Sequence, residues 1–346
     1  MGCRIEWIDL AKGITILLVV VGHSFGFQGH PTSLRLLRGL IFSFHMPLFF
    51  VLSITTYKLS DTNDMLINKT EKAFRHLVIP ACVIFSIQTI LKIFKKCESG
   101  RLFLARIINI FVYSSGCQVR IGSETIPEIG MIWFFIALFL GRSLFDYLHL
   151  KLNKKLFVTV ICTFSIAGVV IGRIQYLPLS FDVILAILPL FLLGNALKYI
   201  NLRKRLILYS IISLSIWLIT FRIEFFIENS YLELALRNYP LYPLCFVTAA
   251  SGVLFISCLS IALLKFRKAV IPFIYIGRKS MYFFWAHIMD YIFSRFFVGI
   301  LQPLKLIGVR LLIDTALFVF IIYSIESLKY IISKIKILRS RRIFHE

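Results

Sequence analysis

The sequence predicts an all-α integral membrane protein of about ten transmembrane helices with both termini cytoplasmic, and three observations carry that reading. Of 346 residues, 59% are hydrophobic and only 16% charged. The mean hydropathy of +0.86 lies far above that of a soluble globular domain. Apolar runs of about 20 residues recur along the chain, the length that crosses a hydrocarbon core. Basic residues alternate between dense and sparse segments, as orientation in a bilayer requires.

Taken in order, the first span (10–28) begins at Lys12 and runs through Val19, Val20 and Val21 to His23. No small-residue cleavage site follows it, so it is expected to stay as an uncleaved anchor. The second (37–57) carries His45 and Pro47 inside "FSFHMPLFFVLS", and the third (74–94) follows the basic stretch from Lys58 to Arg75. The short apolar stretch Arg101 to Tyr113 holds Arg101 and Arg106 and reads as an interfacial or re-entrant helix. The fourth and fifth spans (131–149 and 156–173) flank Lys151, Lys154 and Lys155; the sixth and seventh (181–199 and 206–222) flank Lys198, Arg203, Lys204 and Arg205. Between the eighth (242–264) and ninth (280–299) lie Lys265, Arg267, Lys268, Arg278 and Lys279, and the tenth (305–332) leads into a basic tail. Residues 1–346 read as a single membrane-embedded domain, with no internal repeat and no linker.

In this topology most of the 39 Lys and Arg, set against 17 Asp and Glu, fall on cytoplasmic segments. The net charge of +22 is then explained by orientation and membrane lipid, and no nucleic-acid partner is called for. Lys92 to Arg120 is the exception, and as the longest loop it obeys the bias least. The seven cysteines show no C-x-x-C pair and no metal-ligand spacing, so no metal is expected; Cys97 and Cys117 are the only two in one extramembrane loop.

Ionisable groups within a span are costly, about 2.5–3.5 kcal/mol for Lys, Arg or Asp at a helix centre, and mark candidate sites. Lys12 and His23 are eleven residues apart, which on a helix is about 16 Å of rise and about 20° beyond three turns, so they share one stripe. Lys12 lies towards the cytoplasm, where a snorkelling, orientation-setting role is equally served. His45 falls at a depth near His23, so the two could face one cavity. Pro47 cannot donate to the carbonyl of Ser43, which predicts a kink and a bare acceptor beside His45. His287 and Asp290 share a helix face; a helix-to-helix hydrogen bond would equally explain His287. Glu124 and Glu128 precede Trp133 at the outer start of the fourth span. Arg142/Asp146 and Arg310/Asp314, each four apart, read as structural ion pairs.

Together these blocks resemble the acyltransferase-3 family of integral membrane acyltransferases, most nearly its fucose 4-O-acetylase related branch. The family's basic residue, ten residues and histidine fall on Lys12 and His23, with Asp9 as the preceding acidic residue. His45, Met46 and Pro47 match "FHMPLFF"; "MIWFFIALF" with Trp133 matches a Trp-Phe-Leu segment; Gly277, Ser280 and His287 match the last block. One position departs: Ile54 follows Ser53 where the family usually has glycine.

The resemblance implies transfer of an acyl group, usually acetyl from cytoplasmic acetyl-CoA, to a hydroxyl of a carbohydrate such as an O-antigen or exopolysaccharide at the inner cell membrane. Acetyl-CoA would then be a donor substrate and not a resident cofactor. His23 would be the base or carry the acyl group, since imidazole gains and returns protons near neutral pH. His45 and Glu128 or Asp290 would orient it, and Lys12 and Asp9 would serve the donor side. Trp133, Ser53, Ser280, His287 and Asp290 would support substrate or structure. A transporter or flippase of a lipid-linked glycan, or an inactive accessory subunit of glycan assembly, fits the same helix count. Transporters tend to show paired broken helices in two halves, and here the polar blocks concentrate in the first two spans.

Overall fold

The computed structural model describes residues 4–25, 32–94, 100–121, 124–294, 297, 300–301 and 303–343. Cys97 lies outside them. Helix α1 (Glu6–Ser24) is followed by α2 (Thr32–Thr55) and by α3 (Asn63–Ala73), which a π-turn at Phe74–Val78 joins to α4 (Ile79–Phe94). Thr62 caps α3 by accepting from the Met65 amide, so this helix starts eleven residues ahead of the expected span. Helix α5 (Gly100–Val112), with 13 residues, is too short to cross a bilayer. It leads to a hairpin of β1 (Val119–Ile121) and β2 (Glu124–Ile126), antiparallel with Arg120 opposite Thr125. The hairpin has no apolar alternation long enough to be read from the sequence.

Helices α6 (Trp133–Lys151) and α7 (Lys154–Ile174) are joined by a turn in which Asn153 caps α7, and α8 (Phe181–Ala186) and α9 (Leu188–Leu197) form an apolar pair bent by 50°. Pro189 lies at the start of α9, where its missing N–H costs the helix least. Then follow α10 (Leu206–Glu228), α11 (Leu244–Leu263), α12 (Arg267–Arg278), α13 (Ser280–Ser294) and α14 (Pro303–Ile343). Among the described residues eight helical runs are long and apolar enough to cross a membrane, or nine with the bent pair. The expected ninth span corresponds to α13, only 15 residues long, so a count of ten rests on that helix.

Burial sorts the helices. In α2, 78% of the span is buried and in α1 61%, against 22% in α10 and in α14. The first two helices and α6, also 61% buried, therefore lie in the core, with α12, α13 and α14 against α1 and α9 and α11 against α2. The apolar faces of α10 and α14, with Ile207, Phe226 and Phe320 well exposed, are suited to lipid.

Two glycine contacts set the register of this core. A Cβ on Gly277 would lie 1.7 Å from the Asp9 carbonyl oxygen, and one on Gly13 would lie 1.9 Å from that of Phe273, so α1 and α12 touch backbone to backbone. Gly194 of α9 meets the Val51 carbonyl and Ile54, and Thr55 donates to the Gly194 carbonyl. The close approach at the C-terminal end of α2 is thus made by a glycine on the neighbouring helix, opposite the Ile54 that replaces the expected one.

Helix α2 keeps its helical assignment through Pro47, and His45 Nδ1 lies 3.1 Å from the Ile41 carbonyl. One local expectation is corrected. Asp146 does not pair with Arg142: it accepts from the Tyr57 hydroxyl (2.6 Å) and from the Ser60 amide and hydroxyl (2.7 Å each), while Arg142 lies over the Tyr57 ring.

Candidate active site

Helix α1 is unbroken from Glu6 to Ser24, so Lys12 and His23 stand on one stripe about 16 Å apart along its axis. His23 opens into a pocket of about 50 Å³ that His45, Met46, Pro47, Trp133, Glu233 and Phe284 also line. That volume admits a few water-sized groups. The His23 and His45 rings are 6.4 Å apart, centre to centre, so α1 and α2 do bring both histidines to one cavity. Trp133 enters from the first turn of α6 and is buried; its indole fills the space beside Gly116, where a Cβ would stand 2.3 Å from the ring.

The outer wall is the loop between α10 and α11. A bridge between Glu233 and Asn238 folds it back, and buried Leu232 and Leu234 plug the pocket. Arg237 anchors the turn in the left-handed backbone region (φ 56°). Its guanidinium donates to Asp182 (2.9 Å), Ser115 (3.0 Å), Ser180 (3.0 Å) and the Ala235 carbonyl (3.0 Å) and lies over the Tyr176 ring. Burial raises the Glu233 carboxyl, and Arg38, 3.9 Å away, offsets part of that rise. Burial also pushes the Tyr176 hydroxyl up to about 12, with Cys117 adding to it.

Behind His23 is a second polar cluster. The His287 ring lies 5.6 Å from that of His23. His287 Nδ1 is 2.8 Å from Asp314 and 4.0 Å from Asp290, and Arg310 donates to Asp290 at 2.7 Å. The intrahelical Arg310–Asp314 pair expected from spacing is therefore exchanged for two bonds between α13 and α14. His287, Asp290 and Asp314 are fully buried, and among the described residues His287 Nε2, Asp290 Oδ1 and Asp314 Oδ1 have no hydrogen-bond partner. The donor atoms of these three residues lie within 4.8 Å of one another, and Arg310 is the cation already among them.

The other expected residues lie elsewhere. Glu128 is outside the pocket lining, 3.8 Å from Arg106. Asp9 bridges Arg4 (2.9 Å) and Arg278 (3.4 Å) at the N-terminal end of α1. Lys12, half-buried, has Asp9, Arg4 and Arg142 as its charged neighbours. The Ser53 hydroxyl bonds the Phe50 carbonyl of its own helix, and Ser280 opens α13. Sequence reasoning missed Glu233 and Asp314. Glu233 stands in a loop that also holds Ser230, Arg237 and Asn238, so its composition does not single it out; Asp314 was hidden by its spacing from Arg310.

Fold and site together define a polytopic α-helical membrane protein whose first two helices bring two histidines into one cavity. The chain belongs to the acyltransferase-3 family, whose pattern, described as an acyltransferase domain, matches residues 5–325. It is accordingly a multi-pass membrane acyltransferase. A comparison with curated proteins gave no match.

Proposed function

We propose that the protein is an O-acetyltransferase of the fucose 4-O-acetylase related kind. It moves an acetyl group from cytoplasmic acetyl-CoA to a hydroxyl of a cell-surface or lipid-linked carbohydrate, at the inner membrane and with both termini cytoplasmic. The observation that supports this most is the meeting of His23 and His45 in one small pocket, with Lys12 on the same stripe of α1. A sugar hydroxyl is a weak nucleophile, and a positioned imidazole that takes its proton is worth about 10² to 10⁴ in rate. His23 is that base, and His45, tied to the Ile41 carbonyl, holds the opposite wall. Trp133 supplies an apolar ring face for the sugar or the acetyl group. Lys12 and the basic residues around it meet the phosphates of CoA, which cannot cross lipid.

The small volume of the pocket favours group transfer over a glycan passage. His23→Ala at equal expression is expected to abolish acetylation of surface glycan, read by mass spectrometry, while purified protein still binds acetyl-CoA. Full acetylation in the variant would remove His23 from the chemistry. Absence of acetyl-CoA binding by the wild type would favour a transporter, and binding without turnover an accessory subunit.

A further inference from the structure

The ionisable groups around His23 are His287, His45, Arg310 and Arg38, all basic, and Glu233, the carboxyl of the pocket lining, faces Arg38. The compensating charge lies one layer deeper. Asp290 and Arg310, 2.7 Å apart, cancel, which leaves Asp314 as the uncompensated charge of the buried cluster. With a neutral His287 the four groups sum to one negative charge, and a single proton makes them neutral.

The hydrogen-bonding of His287 matches. In the neutral ring Nδ1–H donates to Asp314, so Nε2 carries the lone pair, and Nε2 is the atom left without a partner. His23 stands between it and the pocket: His23 lines the cavity, and the His287 side chain is fully buried. The ring centres are 5.6 Å apart, a separation at which a nitrogen of each ring can come to hydrogen-bond distance when the rings turn toward each other.

We propose that His287 and Asp314 are the proton store of the reaction, reached through His23, with Asp290 and Arg310 as a neutral frame that fixes them. The inference rests on the acyl-transfer reading. The substrate O–H bond breaks as one nitrogen of His23 takes the proton, and the other nitrogen of His23 passes a proton to His287 Nε2. The electron pair left on oxygen forms the new C–O bond to the thioester carbonyl carbon. The C–S bond breaks with its pair on sulfur, and the stored proton returns by the same route to the thiolate. Alcohol and thioester thus give ester and thiol. His287 and Asp314 act through His23 and are positioning residues.

The groups that bear on His287 are Asp290 from α13, Asp314 and Arg310 from α14 and His23 from α1, with His45 and Arg38 of α2 acting on His23. Helix α4 presents the uncharged Gln88, bonded to the Ile288 carbonyl. The test is transfer of radiolabelled acetyl from acetyl-CoA to membrane glycan, in membranes carrying the full chain at matched levels across pH. Asp314→Asn is expected to lower kcat about 10²-fold with an unchanged KM for acetyl-CoA. It should also move the acid limb of kcat to lower pH, because the charge that favours the stored proton is gone. His287→Gln should match it, and the two together should cost no more than either. Asp290→Asn with Arg310→Gln removes the neutral frame as a pair and should leave the acid limb in place, while Asp314→Glu restores it.

An unmoved limb in Asp314→Asn, or an equal shift in the Asp290/Arg310 double variant, would overturn the proposal, as would a rate lost to a chelator and recovered with a divalent metal. Wild-type membranes that transfer no label would overturn the acyl-transfer reading and this inference with it. Wild-type transfer with Asp314→Asn indistinguishable from it would overturn this inference alone.

Discussion

Among the described residues the chain buries two Arg–Asp clusters, and they are finished differently. Around Arg237 both carboxylate oxygens of Asp182 are used, one by the guanidinium and one by the Leu177 amide, and Ser115, Ser180 and the Ala235 carbonyl take further donors. Around Arg310 the bonds are as short, yet one oxygen of Asp290, one of Asp314 and Nε2 of His287 are left over. A saturated buried pair does nothing further than hold its loops together. An unsaturated one stores bonding capacity, which is costly unless it is used in turnover. The first cluster fixes the loop that walls the pocket, called the lid below, and the second is the one assigned above to proton transfer.

The largest effect that could break this contrast is on stability. Arg237→Gly suits the left-handed backbone at that position and removes only the side chain, leaving Asp182 buried and unpaired. It is expected to cost about 3–5 kcal/mol, read from the thermal unfolding midpoint in detergent. Asp314→Asn, which keeps an acceptor for His287, should move that midpoint far less while it lowers the rate. If both variants unfold alike, the division between lid and chemistry is wrong.

A smaller effect is expected at the N-terminal end of α1, away from both clusters. Gly277→Ala puts a Cβ into the Asp9 carbonyl, and separating the two backbones should cost about 1–3 kcal/mol. Because Asp9 also binds Arg4 and Arg278, the shift should loosen acetyl-CoA binding more than it changes kcat. A fall in kcat with an unchanged KM would instead tie this contact to the histidines.

The same contrast explains what the sequence disclosed. Spans could be placed because about 20 apolar residues is a local property, and the Lys12–His23 stripe could be drawn because α1 is a regular helix. His45 could be put at the depth of His23 from span direction alone. Partners across helices were out of reach. Arg310 and Asp314, and likewise Arg142 and Asp146, have intrahelical spacing, but each carboxylate bonds a residue that only packing brings near. Glu128 precedes Trp133 by five residues and still faces Arg106, because the chain turns at Gly130, whose φ of +63° no periodicity signals. Asp9 matched a family position, yet its contacts are those of an ion pair at a helix end.

The smallest expected effect concerns how the lid is held over the pocket. Glu233 and Arg237 belong to one turn closed by the Glu233–Asn238 bridge, so the saturated cluster anchors one end and a pocket carboxyl the other. Burial raises the Glu233 carboxyl in the closed lid above its value in an open, solvated one, with Arg38 offsetting part of the rise. The closed lid therefore gains stability that is fully present below the ordinary carboxylate range and is lost as pH rises through the raised value. Hydrogen exchange of residues 229–243, normalised for intrinsic rate, should show protection that falls as pH rises above the ordinary carboxylate range. Glu233→Gln, which cannot ionise, should be protected evenly as pH rises. Wild-type protection that stays level would assign the lid to Arg237 alone, whereas a falling one makes Glu233 the point at which the lid responds to charge entering the pocket.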